Sequence, residues 1–259
     1  KEFSVTATEI LMMLASLSKG KTVIELAAAE PQVQDLGNFL KQMGADIESL
    51  GTHTITVNGK EKLNGTEFRI CPDLLEAGTF LIAFILNGSE GKIKNVNPEH
   101  LIIFLEKMKE IGGNFEIFSN EILVKPSSRE FKSTKIQVLP YPGFPTDLQP
   151  QTSVILTQAQ GKSVIHDPLY ENRFQHLHEL RKMGADIEIT DPHRALIFGK
   201  TELIGNKLNA SDIRSGAALI LAGLLAKGET LIENISQIER GYEKIDEKLK
   251  KLGARIKKV

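Results

Sequence analysis

Two glycine series, each with a period of about 70 residues, constrain the fold of this chain more than any other feature of its sequence. In the first series an amphipathic helix pattern ends at a glycine and a strand pattern follows; its members are Gly44, Gly112, Gly184 and Gly253. In the second series a more apolar helix pattern precedes the glycine; its members are Gly20, Gly91, Gly161 and Gly228. Glycine after the last helical turn supplies the left-handed residue with which many helices end. Because the two series interleave with one period, the sequence predicts four tandem units of similar structure.

The two helices of each predicted unit differ in the distribution of their apolar residues. The second helix is amphipathic, and in the last unit its apolar stripe comprises Tyr242, Ile245, Leu249 and Leu252. The first helix is apolar on nearly all sides, as in residues 217–225, and such a helix must be surrounded by protein. Strand patterns at 92–96 and 120–124 then have to cover the helices from outside. Each unit is therefore predicted to be βαβαββ, with apolar helices inside and sheets outside.

Composition and charge exclude several classes of protein. The 259 residues carry a net charge of −1, and their Lys and Arg residues are scattered rather than clustered, which argues against nucleic acid as the main partner. The single cysteine, Cys71, cannot form an internal disulfide or a multi-cysteine metal site, and it fits a reducing cytoplasm. The most apolar stretch, 217–226, is much shorter than a membrane span of roughly 20 residues. We therefore expect a cytoplasmic globular protein of one large or two medium domains.

The run 141–150 (YPGFPTDLQP) places a carboxylate beside a predicted helix. Its prolines and glycine exclude a helix or a central strand within the run itself. Thr146 and Asp147 are predicted to be an N-cap pair for an apolar helix over 152–159. Backbone N–H groups at a helix N-terminus attract anions, so this carboxylate suits an acid–base group beside a phosphorylated substrate. The alternative is that Asp147 only caps its helix.

Five segments of the chain carry a family resemblance. They are 4–8 (SVTAT), 144–149 (FPTDLQ), 170–174 (YENRF), 211–214 (SDIR) and 239–243 (ERGYE). In this order and spacing they resemble the UDP-N-acetylglucosamine 1-carboxyvinyltransferases, the enolpyruvyl transferases of peptidoglycan precursor synthesis in cell-wall biogenesis. The resemblance covers essentially the whole chain, and FPTDLQ, ENRF and RGYEKI are specific to that family.

The resemblance implies a fold and a domain organisation. Members of the family have two domains, each an inside-out α/β barrel of three βαβαββ units. By that comparison, residues 1–66 are the last unit of the first domain, and residues 67–259 are the second domain with an incomplete last unit. The family's N-terminal Lys-Asn pair and its mobile lid loop, which carries a reactive Cys or Asp, have no match here. We therefore expect this chain to need the N-terminal part of the same enzyme as a partner and to be inactive alone.

The resemblance also implies a reaction and the residues that perform it. The family moves the enolpyruvyl group of phosphoenolpyruvate to the 3′-hydroxyl of UDP-N-acetylglucosamine and releases phosphate, without a metal or an organic cofactor. Asp147 is expected to bind the sugar hydroxyl and take its proton. Arg214 and Arg240 are expected to hold the phosphate and carboxylate of phosphoenolpyruvate, as planar guanidinium groups do well. Asp147 and Arg240 are thus the predicted catalytic residues.

Four further residues match contacts of the family with the nucleotide sugar. Ser4 and Val5 match a segment at a helix start that meets the UDP diphosphate. Leu169 matches a backbone contact to the nucleotide sugar, and Arg173 is expected near the same cleft. Each of the four is a predicted substrate-binding residue.

Several of these residues have simpler interpretations. Arg214 is two residues after Asp212 and could pair with a neighbouring carboxylate, while Asp212 itself is predicted to be a helix cap. Arg240 is predicted to lie at a helix start, where a cation is slightly unfavourable, and this favours a functional reason for it. His176 and His178 are two positions apart on a predicted helix and should not share a metal ion.

Two other functions remain open from the sequence. One is a non-catalytic nucleotide-sugar-binding module, and the other is an enolpyruvyl transferase with a different acceptor hydroxyl. A reading frame that extends upstream of Lys1 would favour the enzyme over the module. Binding of UDP-N-acetylglucosamine rather than shikimate 3-phosphate would distinguish the two kinds of transferase.

Overall fold

A computed structural model describes residues 3–259 and divides them into two compact units. The first unit comprises residues 3–72 together with 140–143, and the second comprises 73–139 together with 144–259. The predicted domain division between residues 66 and 67 stays a prediction. No helix within residues 3–259 has both the length and the apolar character needed to cross a lipid bilayer.

The first unit holds one copy of the predicted repeat. Its elements are α1 (Val5–Ser16), β1 (Lys21–Glu25), α2 (Pro31–Gln42), β2 (Asp46–Glu48) and β3 (Thr54–Asn58). The three strands form an antiparallel sheet in the order β1-β3-β2. Alternate residues of β3, Ile55 and Val57, are fully buried in one apolar cluster with Met12 of α1. This alternation is what a sheet with one covered face requires.

Helix α1 departs from the prediction that the first helix of each unit is enclosed by protein. Five apolar side chains of α1 and its C-cap are 43–63% exposed; they are Ile10, Leu11, Met13, Leu14 and Leu17. The described part of the first unit supplies one three-stranded sheet and one further helix. These cover the face of α1 that carries Met12, and the remaining apolar residues stay exposed.

The second unit holds three further copies of the repeat. The first copy contains α3 (Leu74–Asn87), β4 (Gly91–Lys94), a 3-10 helix at Pro98–Leu101, α4 (Ile102–Ile111), β5 (Phe115–Ile117) and β6 (Glu121–Val124). The second contains β7 (Phe131–Lys132), β8 (Lys135–Gln137), a 3-10 helix at Thr146–Leu148, α5 (Gln149–Thr157), β9 (Ala159–His166), α6 (Gln175–Lys182), β10 (Asp186–Asp191) and β11 (Arg194–Gly199). The third contains β12 (Lys207–Asn209), α7 (Ile213–Leu225), β13 (Leu231–Glu233), α8 (Ser236–Glu239) and α9 (Ile245–Lys251).

The strand order confirms the predicted repeat. The antiparallel strands run in the order β4-β6-β5 in one copy and β9-β11-β10 in the next, which is the arrangement β1-β3-β2 of the first unit. Strand β8 joins β9 in parallel, and β12 joins β13 in the same way. The copy β8-α5-β9-α6-β10-β11 is therefore a complete βαβαββ unit. In the last copy, the described residues after α9 contain no strand.

The apolar helices lie inside the second unit, as the sequence predicts. Helices α3, α5 and α7 pack against one another, and the sheets of the three copies surround them. All nine residues of α5 are buried, as are the residues of α7 from Ser215 to Ala222. In α9 the predicted stripe is only partly correct, because Ile245 and Leu249 are buried whereas Leu252 is 55% exposed.

The predicted glycine conformations have one exception, which lies in the second series. All four glycines of the first series adopt a positive φ between 95° and 118°, which confirms their role as left-handed helix ends. In the second series Gly91 does not, because Gly88 takes the left-handed position after α3 with a φ of 64°. A Cβ atom on Gly91 would lie 2.4 Å from the ring of Phe84. Close packing, rather than backbone conformation, therefore requires a glycine at position 91.

Candidate functional site

Asp147 does not cap α5, contrary to the prediction from the sequence. Pro145, with φ −71° and ψ 129°, takes the extended conformation before the 3-10 helix Thr146–Leu148, and α5 follows directly. A capping side chain belongs to the extended residue just before a helix, and the proline side chain has no acceptor atom. Among the described residues, no side chain makes a capping hydrogen bond at the start of the 3-10 helix Thr146–Leu148 or at the start of α5. The side chains of Thr146 and Asp147 are therefore available for other partners.

The carboxylate of Asp147 meets two guanidinium groups. Nη1 of Arg214 donates to Oδ1 of Asp147 at 2.7 Å, and Nη1 of Arg173 donates to the same oxygen at 3.4 Å. Among the described residues, both hydrogen bonds to this carboxylate end on Oδ1, so Oδ2 is left for another donor. The Asp147 side chain is 34% exposed, which makes the carboxylate accessible from solvent.

Arg214 is held by the start of α7. Asp212 caps this helix: its Oδ1 accepts the backbone N–H groups of Arg214 and Ser215, and Ser215 completes a capping box. The same oxygen accepts Nε of Arg214 at 3.3 Å. The predicted cap is thus confirmed, and Arg214 pairs both with its neighbour and with the distant Asp147. Burial lowers the pKa of Arg214, but attraction to Asp147 and Asp212 outweighs it and leaves that pKa above its ordinary value.

Arg173 lies in the stretch between β9 and α6. Its guanidinium carbon lies 4.4 Å from the centre of the Tyr170 ring, a cation–π contact. The pKa of Arg173 is lowered, first by burial and then by repulsion from Arg214, although Asp147, Asp167 and Asp212 oppose the shift. An anion bound beside both guanidinium groups would relieve this repulsion. The cluster is thus suited to a phosphate or carboxylate next to a carboxylate that can accept a proton.

Asp167 is a member of this cluster that the sequence analysis missed. Its side chain is fully buried. Oδ2 accepts the hydroxyl of Thr146 at 2.6 Å, and Oδ1 accepts the backbone N–H of Leu169 at 3.2 Å. The available signal was an Asp-Pro pair directly after the alternating apolar residues of β9, which marks a strand end at which polar side chains gather.

The predicted nucleotide contacts lie in both units. Leu169 is half-buried in the second unit, and its N–H is bound by Asp167. Ser4 and Val5 lie in the first unit, where Ser4 is the N-cap of α1 and its Oγ accepts the N–H of Ala7 at 3.2 Å. The predicted helix start at this position is therefore confirmed. The substrate roles of these three residues stay predictions.

Among the described residues, Arg240 makes no hydrogen bond or ion pair with Asp147, and its predicted position at a helix start was wrong. It is the C-cap residue of the short helix α8, and α9 begins only at Ile245. A cation at a helix C-terminus is favourable, so the dipole argument for a functional role no longer holds. Arg240 is exposed, and its Nη1 donates to Oε1 of Gln237 at 3.2 Å. In the described part of the chain, Arg173 instead of Arg240 is the second guanidinium group at Asp147.

Tyr242 anchors the segment that carries Arg240. Its hydroxyl is buried and lies 2.8 Å from Oγ1 of Thr79 in α3, and it accepts Nε2 of Gln151 in α5 at 3.1 Å. Burial raises the pKa of Tyr242 to about 12, so the hydroxyl keeps its proton at neutral pH. The chain near Arg240 is thus tied to the helix that follows Asp147.

The two histidines of α6 lie on different faces of the helix. His176 is buried and His178 is exposed. The ring of His176 hydrogen-bonds to the backbone of Arg173 and, through Nε2, to Oγ of Ser153 at 2.9 Å. Burial lowers the pKa of His176 to about 3, so the ring is neutral and can hold Arg173 in place. Among residues 3–259, no group of three His, Cys, Asp or Glu side chains is arranged to hold a metal ion.

His176 should make stability depend on pH. Its pKa in the folded state lies below the ordinary value of 6.5, so the unfolded chain takes up a proton first as the pH falls. We expect the free energy of unfolding to be highest above pH 6.5 and to fall by about 2 kcal/mol between pH 7.5 and 5.0 through this group. Urea unfolding of wild type and His176→Gln measures the difference. His178→Gln is the control and should keep the wild-type dependence; an unchanged dependence in His176→Gln would contradict the prediction.

Comparison with known proteins identifies the family to which this chain belongs. The model of the EPSP synthase (3-phosphoshikimate 1-carboxyvinyltransferase) family matches residues 2–249. The chain belongs to the EPSP synthase family. Within it, the UDP-N-acetylglucosamine 1-carboxyvinyltransferase of Halothermothrix orenii is 50% identical over 256 residues, which are 99% of this chain and 61% of that protein. The protein of the same name from Coxiella burnetii is 45% identical over 258 residues, 100% of this chain and 59% of the relative. The chain thus spans about three fifths of the length of these relatives.

Two solved structures have the same fold as this chain. The enolpyruvyl transferase NikO from Streptomyces tendae superposes with a TM-score of 0.88 at 26% identity, covering 97% of this chain and 60% of that one. EPSP synthase from Acinetobacter baumannii superposes with a TM-score of 0.70 at 19% identity, covering 96% of this chain and 60% of that one. The predicted enolpyruvyl transferase-like fold is confirmed.

Proposed function

We propose that the protein to which this chain belongs transfers the enolpyruvyl group of phosphoenolpyruvate to the 3′-hydroxyl of UDP-N-acetylglucosamine. The observation that carries the proposal is the meeting of Asp147 with the guanidinium groups of Arg173 and Arg214. Relatives that carry the name of this activity are 45–50% identical along the whole chain, which supports the same assignment. Asp147 takes the proton of the sugar hydroxyl as its oxygen bonds to the enolpyruvyl carbon that bears the phosphate, and the methylene carbon takes up a proton. The methylene carbon then gives up a proton, the double bond re-forms, the bond from the enolpyruvyl carbon to the phosphate oxygen breaks, and phosphate leaves.

The other residues of the site bind the two substrates. Arg214 and Arg240 hold the anionic groups of phosphoenolpyruvate, and Arg173 keeps positive charge beside Asp147. Ser4 and Val5 meet the diphosphate of UDP, while the Leu169 backbone meets the sugar. No metal or organic cofactor has a role in this proposal. The lid loop belongs to the N-terminal part of the enzyme, which this chain does not include. The enzyme works in the cytoplasm.

The assignment is tested on the product of the complete reading frame that contains this chain. Isothermal titration should detect binding of UDP-N-acetylglucosamine and no binding of shikimate 3-phosphate. Phosphate should be released only when UDP-N-acetylglucosamine and phosphoenolpyruvate are both present. The isolated chain should release none. Binding of shikimate 3-phosphate, or of UDP-N-acetylglucosamine without turnover, would replace the proposal by one of the two other functions.

Arg240 provides a separate test, because it is exposed and lies outside the cluster around Asp147. We expect Arg240→Ala to lower kcat/KM for phosphoenolpyruvate by about 10–100-fold through loss of charge-assisted hydrogen bonds to the substrate. The melting temperature should not change, because an exposed side chain with one hydrogen bond contributes little to stability. Arg255→Ala, also at an exposed position, is the control. A wild-type kcat/KM in Arg240→Ala would remove Arg240 from the proposed site.

A further inference from the structure

Asp167 is a buried carboxylate to which neither the family resemblance nor the proposed reaction gives a role. Its side chain has no exposure to solvent, although it follows directly on the end of β9. Burial of a carboxylate is unfavourable unless hydrogen bonds and nearby positive charge compensate for the lost hydration. Its partners therefore indicate why an acidic residue is kept at this position.

The two oxygens of Asp167 join the two segments that form the site. Oδ2 accepts the hydroxyl of Thr146, the residue next to Asp147, at 2.6 Å. Oδ1 accepts the N–H of Leu169, at the start of the segment that carries Arg173, at 3.2 Å. Hydrogen bonds to an ionised acceptor are short and strong, and the Thr146 bond has this character.

The position of Asp167 is itself fixed by the adjoining hairpin. Its backbone N–H donates to the carbonyl of His193 at 2.8 Å, and its carbonyl oxygen is bonded to Nδ1 of His193 at 2.9 Å. His193 lies in the turn between β10 and β11. The β9-β11 pair and its adjoining turn therefore hold the backbone of the residue whose carboxylate accepts the Thr146 hydroxyl.

The charge of Asp167 also acts on the guanidinium pair. It attracts the guanidinium of Arg173, which is repelled by Arg214. A neutral residue at position 167 would leave that repulsion less compensated and would weaken the hydrogen bond to Thr146.

We propose that Asp167 is a positioning residue that, through the hydroxyl of Thr146, fixes Asp147 where Arg173 and Arg214 meet it. Because the Thr146 hydroxyl donates to Asp167, it does not cap the following helix. The carboxylate of the next residue, Asp147, faces Arg173 and Arg214. The inference rests on the proposed function, because it assigns Asp147 its task in that reaction. Asp167 contacts no substrate in this view and acts through Thr146 and Leu169.

The test uses the complete protein with Thr146→Val, Thr146→Ser and Asp167→Asn. Thr157→Val is the control: Thr157, at the far end of α5, is more buried than the half-buried Thr146, and its hydroxyl likewise donates one hydrogen bond, to the carbonyl of Val154. We expect Thr146→Val to lower kcat about 10-fold with KM values within twofold of wild type. Thr146→Ser keeps the donor and should restore kcat. The double variant Thr146→Val/Asp167→Asn should be no worse than the poorer single variant, because both changes act on the same hydrogen bond.

Three results decide the outcome. A kcat of Thr146→Val within twofold of wild type overturns the inference. So does a loss of kcat that is no larger, for the same fall in melting temperature, than the loss in Thr157→Val. If the wild-type protein shows no transferase activity, the proposed function fails. The role of Asp167 is then tested separately by NMR relaxation of the arginine Nε–H groups, which measures the mobility of these side chains without substrate. Greater mobility of Arg173 and Arg214 in Thr146→Val then supports the coupling, and unchanged mobility overturns it.

Discussion

Replacing Asp147 by alanine is expected to lower kcat at least about 10²-fold in the complete protein while substrate binding survives. The reason is the loss of the group that, in the proposed reaction, takes the proton of the sugar hydroxyl. General-base catalysis contributes typically about 10²–10⁴-fold to a rate. Steady-state kinetics should show the loss in kcat, and isothermal titration should show that UDP-N-acetylglucosamine still binds.

The control for this variant is Glu99→Ala. Glu99 is an exposed acidic residue in the first turn of the 3-10 helix Pro98–Leu101, as Asp147 is in the first turn of Thr146–Leu148. Its replacement should leave kcat at the wild-type value. An Asp147→Ala variant that loses thermal stability but keeps its turnover would show that Asp147 has a structural role only.

Replacing Arg214 by lysine is expected to raise KM for phosphoenolpyruvate about 10-fold and to lower kcat/KM about 10²-fold or more. Arg214 donates through Nη1 to Asp147 and through Nε to Asp212 at the same time. A lysine keeps the charge, but its single ammonium group cannot reproduce the two separated donors of the planar guanidinium. Steady-state kinetics with phosphoenolpyruvate as the varied substrate measures the effect.

Arg194→Lys is the matched control for this change. Arg194 is 60% exposed, and its Nε lies 3.9 Å from Oδ2 of Asp191, so it makes a surface ion pair that contributes little. Its replacement should alter neither KM nor kcat measurably. If Arg214→Lys behaves like Arg194→Lys, the guanidinium geometry at Asp147 has no part in binding phosphoenolpyruvate.

The repeat could be predicted from the sequence because its signals are local. A glycine in the left-handed conformation ends a helix through contacts within a few residues, and Gly44 and Gly184 do so as predicted. The enclosed helix α7 was recognisable because the successive apolar residues from Ala217 to Ala222 occupy all sides of the helix, and these residues are buried. Gly91 was misinterpreted because its requirement comes from the Phe84 ring, a packing contact that the glycine pattern does not reveal.

The prediction for the turn before α5 failed for a local reason as well. Thr146 and Asp147 are both good capping residues, and the sequence alone does not show that the 3-10 turn begins after Pro145. The position of Arg240 failed in a similar way, since the short helix α8 before it was not recognised and α9 begins later than predicted. Helix ends are the least certain part of a sequence-based prediction because alternative caps differ little in free energy.

By itself, the sequence determined the four-unit repeat and the apolar helices inside the second unit, and the family resemblance added the expectation that Asp147 and Arg214 belong to one site. Glycine, proline and apolar periodicity act through neighbouring residues and need no knowledge of the rest of the chain. Only the tertiary structure showed that Arg173 is the second guanidinium group at Asp147 and that the buried Asp167 accepts hydrogen bonds from both Thr146 and Leu169. The contacts of Asp147 with Arg173 and of Thr146 with Asp167 join residues 26 and 21 positions apart, and the packing of separate helices and strands is what brings them within hydrogen-bond distance.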